Sequence, residues 1–338
     1  MTPSQQAEYA ARPIRWGIAG PGGIAAKFAA DFPHLDGDAE IVAVGSRRRA
    51  TADEFGDRFG IERRHASYAD LAADGGVDAV YVATPHPMHY DTAMLAIEAG
   101  KHVLIEKPFT INAGEAGRLV AAARNAGVLL MEAMWTRFLP HMDDVRQILA
   151  RGELGDIRTV TADHGQWFAE DAEFRLFAPD LGGGALLDLG VYPISFASMV
   201  LGKPDRITAV SDPAFTGVDA QTSMIFQYDA GRHAVLTTTL QAASANVGTI
   251  VGTEARIEIE RTFYAPTSFS VISRAGEVSR HEHPRIGNGL RYQAAEVARC
   301  LRAGLLESPL LPLDETVEIM ETMDEVRRQI GLVYPQEK

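Results

Sequence analysis

The stretch KHVLIEKPF, residues 101–109, decides how the whole chain is read. Val103, Leu104 and Ile105 form an unbroken apolar run, as expected of a strand covered on both faces of a parallel sheet. Pro108 has no N–H to donate and ends the ladder. Glu106 and Lys107 therefore stand at the strand's carboxyl end, where open parallel sheets hold their ligands. A lysine in that position, taken alone, is readily explained as a snorkelling side chain at a strand end. The stretches before it argue for more.

Residues 14–20, IRWGIAG, read as a short apolar strand, followed at once by a helical run from Ile24 to Phe32. The turn between them is Gly20-Pro21-Gly22-Gly23-Ile24-Ala25, a G-x-G-x-x-A form of the dinucleotide fingerprint, in which small residues admit a pyrophosphate to the helix N-terminus. A ligand-free tight turn gives the same letters, but the strand before it and the helix after it favour the binding reading. A second strand, Glu40 to Gly45, runs into Ser46-Arg47-Arg48-Arg49. An NAD site usually carries a carboxylate there for the ribose 2′-hydroxyl. A hydroxyl and a guanidinium suit a 2′-phosphate instead, so Ser46 and Arg47 favour NADP over NAD. The alternative is a solvated basic turn.

Next come a cap at Ser67 with a short helix, and a buried strand from Val77 to Thr84. That strand stops at Thr84-Pro85-His86-Pro87-Met88-His89, and a helix over 91–99 leads into the opening strand. In a doubly wound sheet Thr84 and Lys107 face one crevice. His86 and His89 have no Asp, Glu or Cys at zinc-like spacing, so no metal site is expected. A helix over 112–125, a stop at Gly127 and a strand over 128–134 complete this part.

The 338 residues, 46% of them hydrophobic, suffice for two domains, and a formal net charge of -13 disfavours nucleic acid as a partner. The single cysteine, Cys300, rules out an intrachain disulfide framework and fits the cytoplasm; it is expected in the core rather than as a nucleophile. The first dozen residues lack an apolar signal region, and no membrane span is expected.

After Pro140 a helix over 141–151 precedes an alternating strand over 156–166. Segments 205–215, 219–229, 232–243, 247–260 and 268–282 also read as strands, which implies an antiparallel sheet. Between them lie Gly182-Gly183-Gly184 and the helical ALLDLGVYPISFASMVLG. Asp188 and Tyr192, four apart, fall on one face of a regular helix, and Pro193 suggests a bend or a helix end. A buried helix often carries one tyrosine and one satisfied aspartate, so spacing alone leaves their role open. Helices over 290–302 and 314–330 close the chain and are expected to pack on the sheets.

The glycine turn, TPHPMH, AGKHVLIEKPF, MEAMWTRF, LGGGALLDLGVYP and ESPLLPL, in this order, resemble the glucose-fructose oxidoreductase, inositol dehydrogenase and rhizopine-catabolism (Gfo/Idh/MocA) oxidoreductases. The chain is most similar to their dimeric dihydrodiol dehydrogenase and NADP-dependent D-xylose dehydrogenase branch. The resemblance implies a Rossmann domain over 1–135, a substrate and dimerisation domain with an open, mostly antiparallel sheet over 136–338, and a homodimer formed through that sheet. It extends the cofactor set from Gly20, Gly22, Gly23, Ile24, Ser46, Arg47 and Thr84 to Pro85, His89, Glu106 and Lys107. Many relatives carry Asp-x-x-x-His where this chain has Asp188 and Tyr192, as the dihydrodiol branch does. Tyr192 is then the group that takes the hydroxyl proton, with Lys107 lowering its pKa from the ordinary value of about 10 and relaying the proton. Asp188 hydrogen-bonds a substrate hydroxyl or orients the lysine. Trp135, Arg137 and Phe168 line the pocket for a sugar ring or cyclic diol, with Trp167 and Phe138 as further candidates. Two other readings stay open: a non-catalytic nucleotide-binding regulator, and a reductase of a sugar ketone or dicarbonyl.

Overall fold

A computed structural model describes residues 3–337. The chain divides into two compact units. The first takes the residues up to Thr110, Gly114–Trp135 and Ile286–Val317; the second takes Ile111–Ala113, Thr136–Arg285 and the chain from Glu318 onward. The expected continuous span 136–338 is thus interrupted, because residues 286–317 return to the first unit.

In the first unit β1 (Ile14–Ala19), β2 (Ala39–Gly45), β3 (Arg63–His65), β4 (Ala79–Val82), β5 (His102–Glu106) and β6 (Leu130–Ala133) form one sheet in the order β3-β2-β1-β4-β5-β6. Every pairing is parallel, the doubly wound arrangement of a dinucleotide-binding fold. Its helices are α1 (Pro3–Ala11), α2 (Gly23–Asp31), α3 (Arg49–Phe59), α4 (Tyr68–Ala72), α5 (His89–Glu98) and α6 (Ala113–Ala126), the last begun by a residue of the second unit. β5 is buried along its whole length, as its apolar run requires. On α2, Phe28 stacks on Tyr81 of β4 at 4.0 Å and meets Trp16 of β1 edge-on at 5.6 Å, which fastens the helix after the glycine turn to the sheet. The last residue of α2 explains why the chain returns here. Asp31 is fully buried, and its carboxylate accepts from the backbone N–H groups of Asn288, Leu290 and Arg291 at 2.6, 2.8 and 3.2 Å. It thereby caps the later helix over Arg291–Arg302.

The second unit contains α7 (Pro140–Ala150), α8 (Val191–Leu201) and most of α10 (Leu313–Ile330); α9 is the capped helix Arg291–Arg302. Its sheet holds β7 (Ile157–Gly165), β8 (Arg206–Pro213), β9 (Asp219–Gln227), β10 (His233–Thr239), β11 (Gly248–Gly252), β12 (Ala255–Ile259), β13 (Phe269–Ser273) and β14 (Val278–His281). The order is β14-β13-β12-β11-β7-β10-β9-β8, antiparallel except where β10 runs parallel to β7. Two expected strands are each corrected to a hairpin. Residues 247–260 fold back around Thr253 and Glu254, and 268–282 around Gly276, whose φ of +89° suits a tight turn. Apolar alternation continues through such turns, so periodicity alone merges the two strands. At the free edge of β8 the Gln329 side chain of α10 accepts from Ala209 N–H at 2.9 Å and donates to Ile207 O at 2.9 Å, which satisfies open backbone groups there. The segment Pro179–Leu201 is apolar and long enough to cross a membrane, but its apolar window is 83% buried in the protein and serves as core.

Three histidines give the fold a defined acid lability. Burial lowers His89, His102 and His141 to about 4 each. Their ordinary value is about 6.5, so between these values the unfolded chain binds protons that the folded chain refuses. Their stabilising contribution is therefore complete above pH 6.5 and is lost as the pH falls toward 4, by at most about 3 kcal/mol per ring. The melting temperature should drop steeply across that window; a flat profile from pH 6.5 to 4 contradicts neutral buried rings.

Candidate active site

The first unit gathers the expected cofactor residues at the carboxyl ends of its strands. Gly20, directly after β1, has a φ of +93°, and a Cβ there would lie 2.8 Å from Ala83 O and 2.9 Å from Thr84 N. Only glycine lets the turn pass this close to the end of β4. Gly22 is the N-cap of α2 and offers no side-chain cap, and a Cβ on Gly22 or Gly23 would meet nothing within 4 Å. The opening N–H groups of α2, from Gly23 and Ile24 on, are thus presented beside open space, a cradle that fits a pyrophosphate. Thr84 Oγ1 is buried with no hydrogen-bond partner among the described residues, as suits a hydroxyl kept for a bound ligand.

After β2, Ser46 is buried and Arg47 is exposed, its charge close enough to Tyr68 to act on the phenol. Arg49 is tied to Asp53 at 2.9 Å, which leaves the first arginines of the run nearer the strand end. His89 follows Pro85 and lies fully buried, its Nδ1 2.9 Å from Pro108 O and its Nε2 2.9 Å from Thr84 O. A neutral ring carries one N–H and donates to one of these oxygens. His89 therefore fills the space between the loop after β4 and the loop after β5 and hydrogen-bonds one of them. Glu106, buried at the end of β5, accepts from Tyr81 Oη and, at 3.2 Å, from the backbone N–H of Lys107. Lys107 is half-buried, and Trp135, also partly buried, follows β6.

In the second unit, Asp188 and Tyr192 do not share one regular helix. Residues Leu186–Gly190 form a π-helical turn and Tyr192 lies in the first turn of α8, so the expected i, i+4 face is corrected. Pro193 supplies part of the reason, because it has no N–H for the carbonyl of Leu189 four residues back. His164 Nδ1–H donates to that oxygen at 3.2 Å. Its Nε2 must then accept, and the Gln166 amide donates to it at 2.9 Å and to Tyr264 Oη at 3.3 Å. The fixed imidazole stacks on Tyr264 at 3.9 Å and meets Tyr192 edge-on at 5.2 Å, while the two tyrosine rings lie 4.9 Å apart.

Asp188 is 4% exposed and is gripped by Arg175 through two bonds of 2.9 and 3.2 Å. Arg137, expected at the substrate pocket, is 3% exposed and donates from Nε to Ser195 Oγ at 3.0 Å, which braces the helix that carries Tyr192. Phe168 packs on Leu176, Phe177, Ala185, Leu189 and Leu240 and lies 5.7 Å from the ring of Phe174, whereas Trp167 is exposed. Phe138 is core. Cys300 is buried, and burial pushes its thiol up to about 12, which removes it as a nucleophile.

Sequence reading missed His164, Gln166, Arg175 and Tyr264. For His164 a signal existed. It follows Val160 and Ala162 on the buried face of β7, and a polar side chain there needs partners.

The model of the oxidoreductase family with an NAD-binding Rossmann fold matches residues 14–134, and that of the Gfo/Idh/MocA C-terminal domain matches 142–258. A trans-1,2-dihydrobenzene-1,2-diol dehydrogenase of Mus musculus is 39% identical over 96% of this chain and 99% of its own, and the Homo sapiens protein of that name is 36% identical over the same shares. A 3-ketoreductase of Actinomadura kijaniata, solved with NADP and TDP-benzene, superposes with a TM-score of 0.83 at 30% identity, covering 94% of this chain and 98% of its own. An aldose-aldose oxidoreductase of Caulobacter crescentus shares the fold, with a TM-score of 0.85 at 23% identity over 95% of this chain and 98% of its own. On these matches and the two sheets described above, the chain belongs to the Gfo/Idh/MocA family of oxidoreductases.

Proposed function

We propose that this protein is an NADP-dependent dehydrogenase that oxidises a secondary hydroxyl of a cyclic trans-diol or of an aldose. The observation that carries the reading is Tyr192, a phenol on α8 set against the fixed imidazole of His164 and the ring of Tyr264. The bound nicotinamide supplies the hydride acceptor. Tyr192 takes the hydroxyl proton as general base. The Lys107 cation stabilises the phenolate form in which Tyr192 accepts that proton, and passes the proton outward afterwards. Asp188, its charge matched by Arg175, accepts a hydrogen bond from a neighbouring substrate hydroxyl, and Phe168 and Trp135 offer apolar faces to the ring.

The cofactor is held by the cradle of Gly20, Gly22, Gly23 and Ile24, with Thr84 beside it and Arg47 on the 2′-phosphate. Arg47→Ala is therefore expected to raise KM for NADP about ten- to a hundredfold, the value of a charge-assisted bond, while leaving KM for NAD near its starting point. An unchanged NADP constant removes Arg47 from the site. The function itself is tested by following NADPH formation with trans-1,2-dihydrobenzene-1,2-diol, its saturated cyclic analogues and D-xylose. Turnover on a diol or aldose supports the reading; NADPH binding without turnover in either direction favours a nucleotide-binding regulator.

Self-association belongs to the same proposal. Across the outer face of the second sheet, Thr208, Ile225, Val235, Thr161 and Thr249 lie in register, and Val210 stands nearby. Val210, Ile225 and Val235 are 67%, 46% and 44% exposed, an apolar and threonine-rich stripe suited to a second copy. Sedimentation at micromolar concentration should return the dimer mass, and a monomer alone contradicts it. A single cysteine, kept as a buried thiol, suits a cytoplasmic location.

A further inference from the structure

The mechanism above makes no use of Asp219, the first residue of β9, although its carboxyl group reaches the segment that carries Asp188 and Tyr192. Asp219 is 3% exposed. Its Oδ2 accepts from the backbone N–H of Leu186 at 2.8 Å and from Thr222 Oγ1 at 2.9 Å. Leu186 opens the π-helical turn, two residues before Asp188 and six before Tyr192. The other carboxyl oxygen, Oδ1, is buried with no hydrogen-bond partner among the described residues.

The triple glycine that precedes the turn is shaped around this carboxyl group. Gly184 has a φ of +116°, and a Cβ on it would collide with Asp219 Oδ1. A side chain at that position would push the turn off the carboxyl group. From another side the buried Tyr334 Oη donates to Gly183 O at 2.6 Å. The π-helical turn is thus fixed at its start by Asp219 and Tyr334 and at its end by His164 on Leu189 O.

We infer that Asp219 is a positioning residue: it sets the π-helical turn through the Leu186 N–H and thereby aims Tyr192 at the substrate hydroxyl. The inference rests on the reading of Tyr192 as the proton acceptor. Burial without a paired cation pushes the Asp219 carboxyl up to about 7, so it is largely neutral when it holds the turn under weakly acid conditions. Around it stand Thr222 on its own strand, the backbone of the π-helical turn and Tyr334, whose phenol is pushed well up by burial. Beyond Tyr334 lies Arg327, 5.3 Å from the centre of its ring and paired with Asp324 and Glu337 at 2.7 Å each.

The test uses full-length protein, NADP and trans-1,2-dihydrobenzene-1,2-diol. Asp219→Ala leaves a buried N–H without an acceptor, and kcat should fall about tenfold or more while KM and the NADP dissociation constant stay within about twofold. Asp219→Asn keeps an acceptor for Leu186 and should restore kcat to within about threefold. The Asn variant should also lose an inflection near pH 7 in the wild-type kcat profile. If the alanine variant does not fold, the Asn profile decides. A folded Asp219→Ala protein with wild-type kcat, or an Asp219→Asn profile superimposable on the wild type, overturns the inference. In a Tyr192→Phe background Asp219→Ala should cause no further loss. Additive losses there refute the positioning role alone, whereas wild-type turnover by Tyr192→Phe refutes the parent reading.

Discussion

Tyr192→Phe is expected to lower kcat by about two to four orders of magnitude, the usual share of a positioned general base. The substitution keeps the ring, so the edge contact with His164 and the approach to Tyr264 persist. The Pro193 break and the His164 bond to Leu189 O involve no atom of the phenol. The loss should therefore fall on the chemical step. Substrate KM and NADPH affinity, measured by fluorescence titration, should stay close to wild type, and single-turnover NADPH formation should slow in proportion to kcat. If single-turnover rates match the wild type, Tyr192 is not the base, and the proton must leave by another group.

Lys107→Met should produce a loss of similar size for a different reason. Methionine keeps an unbranched stem of comparable length, and the backbone N–H of residue 107 retains its bond to Glu106, so β5 and its exit are preserved. What disappears is the cation. On the proposed mechanism the Tyr192 phenolate then lacks its stabilising cation, and the proton its relay. NADPH binding should survive, because the cradle at Gly20, Gly22 and Gly23 and the buried His89 between Thr84 and Pro108 are untouched. On the proposed mechanism tyrosine and lysine serve one proton transfer, so the double variant should be hardly slower than either single one, as for residues that act as a unit. Fully multiplicative losses would show that Lys107 and Tyr192 act at separate steps.

The two halves of the candidate site were legible to different degrees. Gly20 through Ile24, Ser46, Arg47, Thr84 and Lys107 could be placed because each directly follows an apolar strand, and a parallel sheet sends all such residues to one edge. The second unit resisted because its chemistry depends on partners distant in sequence. Arg175 and Asp188 are thirteen residues apart, joined across the triple glycine, and His164 reaches Leu189 from another strand. The bond from Arg137 to Ser195 is of the same kind, reaching across 58 residues of sequence.

The sequence by itself determined the doubly wound sheet, the glycine cradle and the lysine at the exit of β5. Apolar runs, glycine positions and strand exits are local features, and local sterics fix them. Only the tertiary structure decided that residues 286–317 return to the first unit through Asp31, and that Asp188 lies within a π-helical turn with Tyr192 just beyond it instead of the two sharing a regular helix face. It alone placed His164, Arg175 and Asp219 around that turn. Buried polar groups must find partners wherever the packing provides them, and no period in the sequence records which those will be.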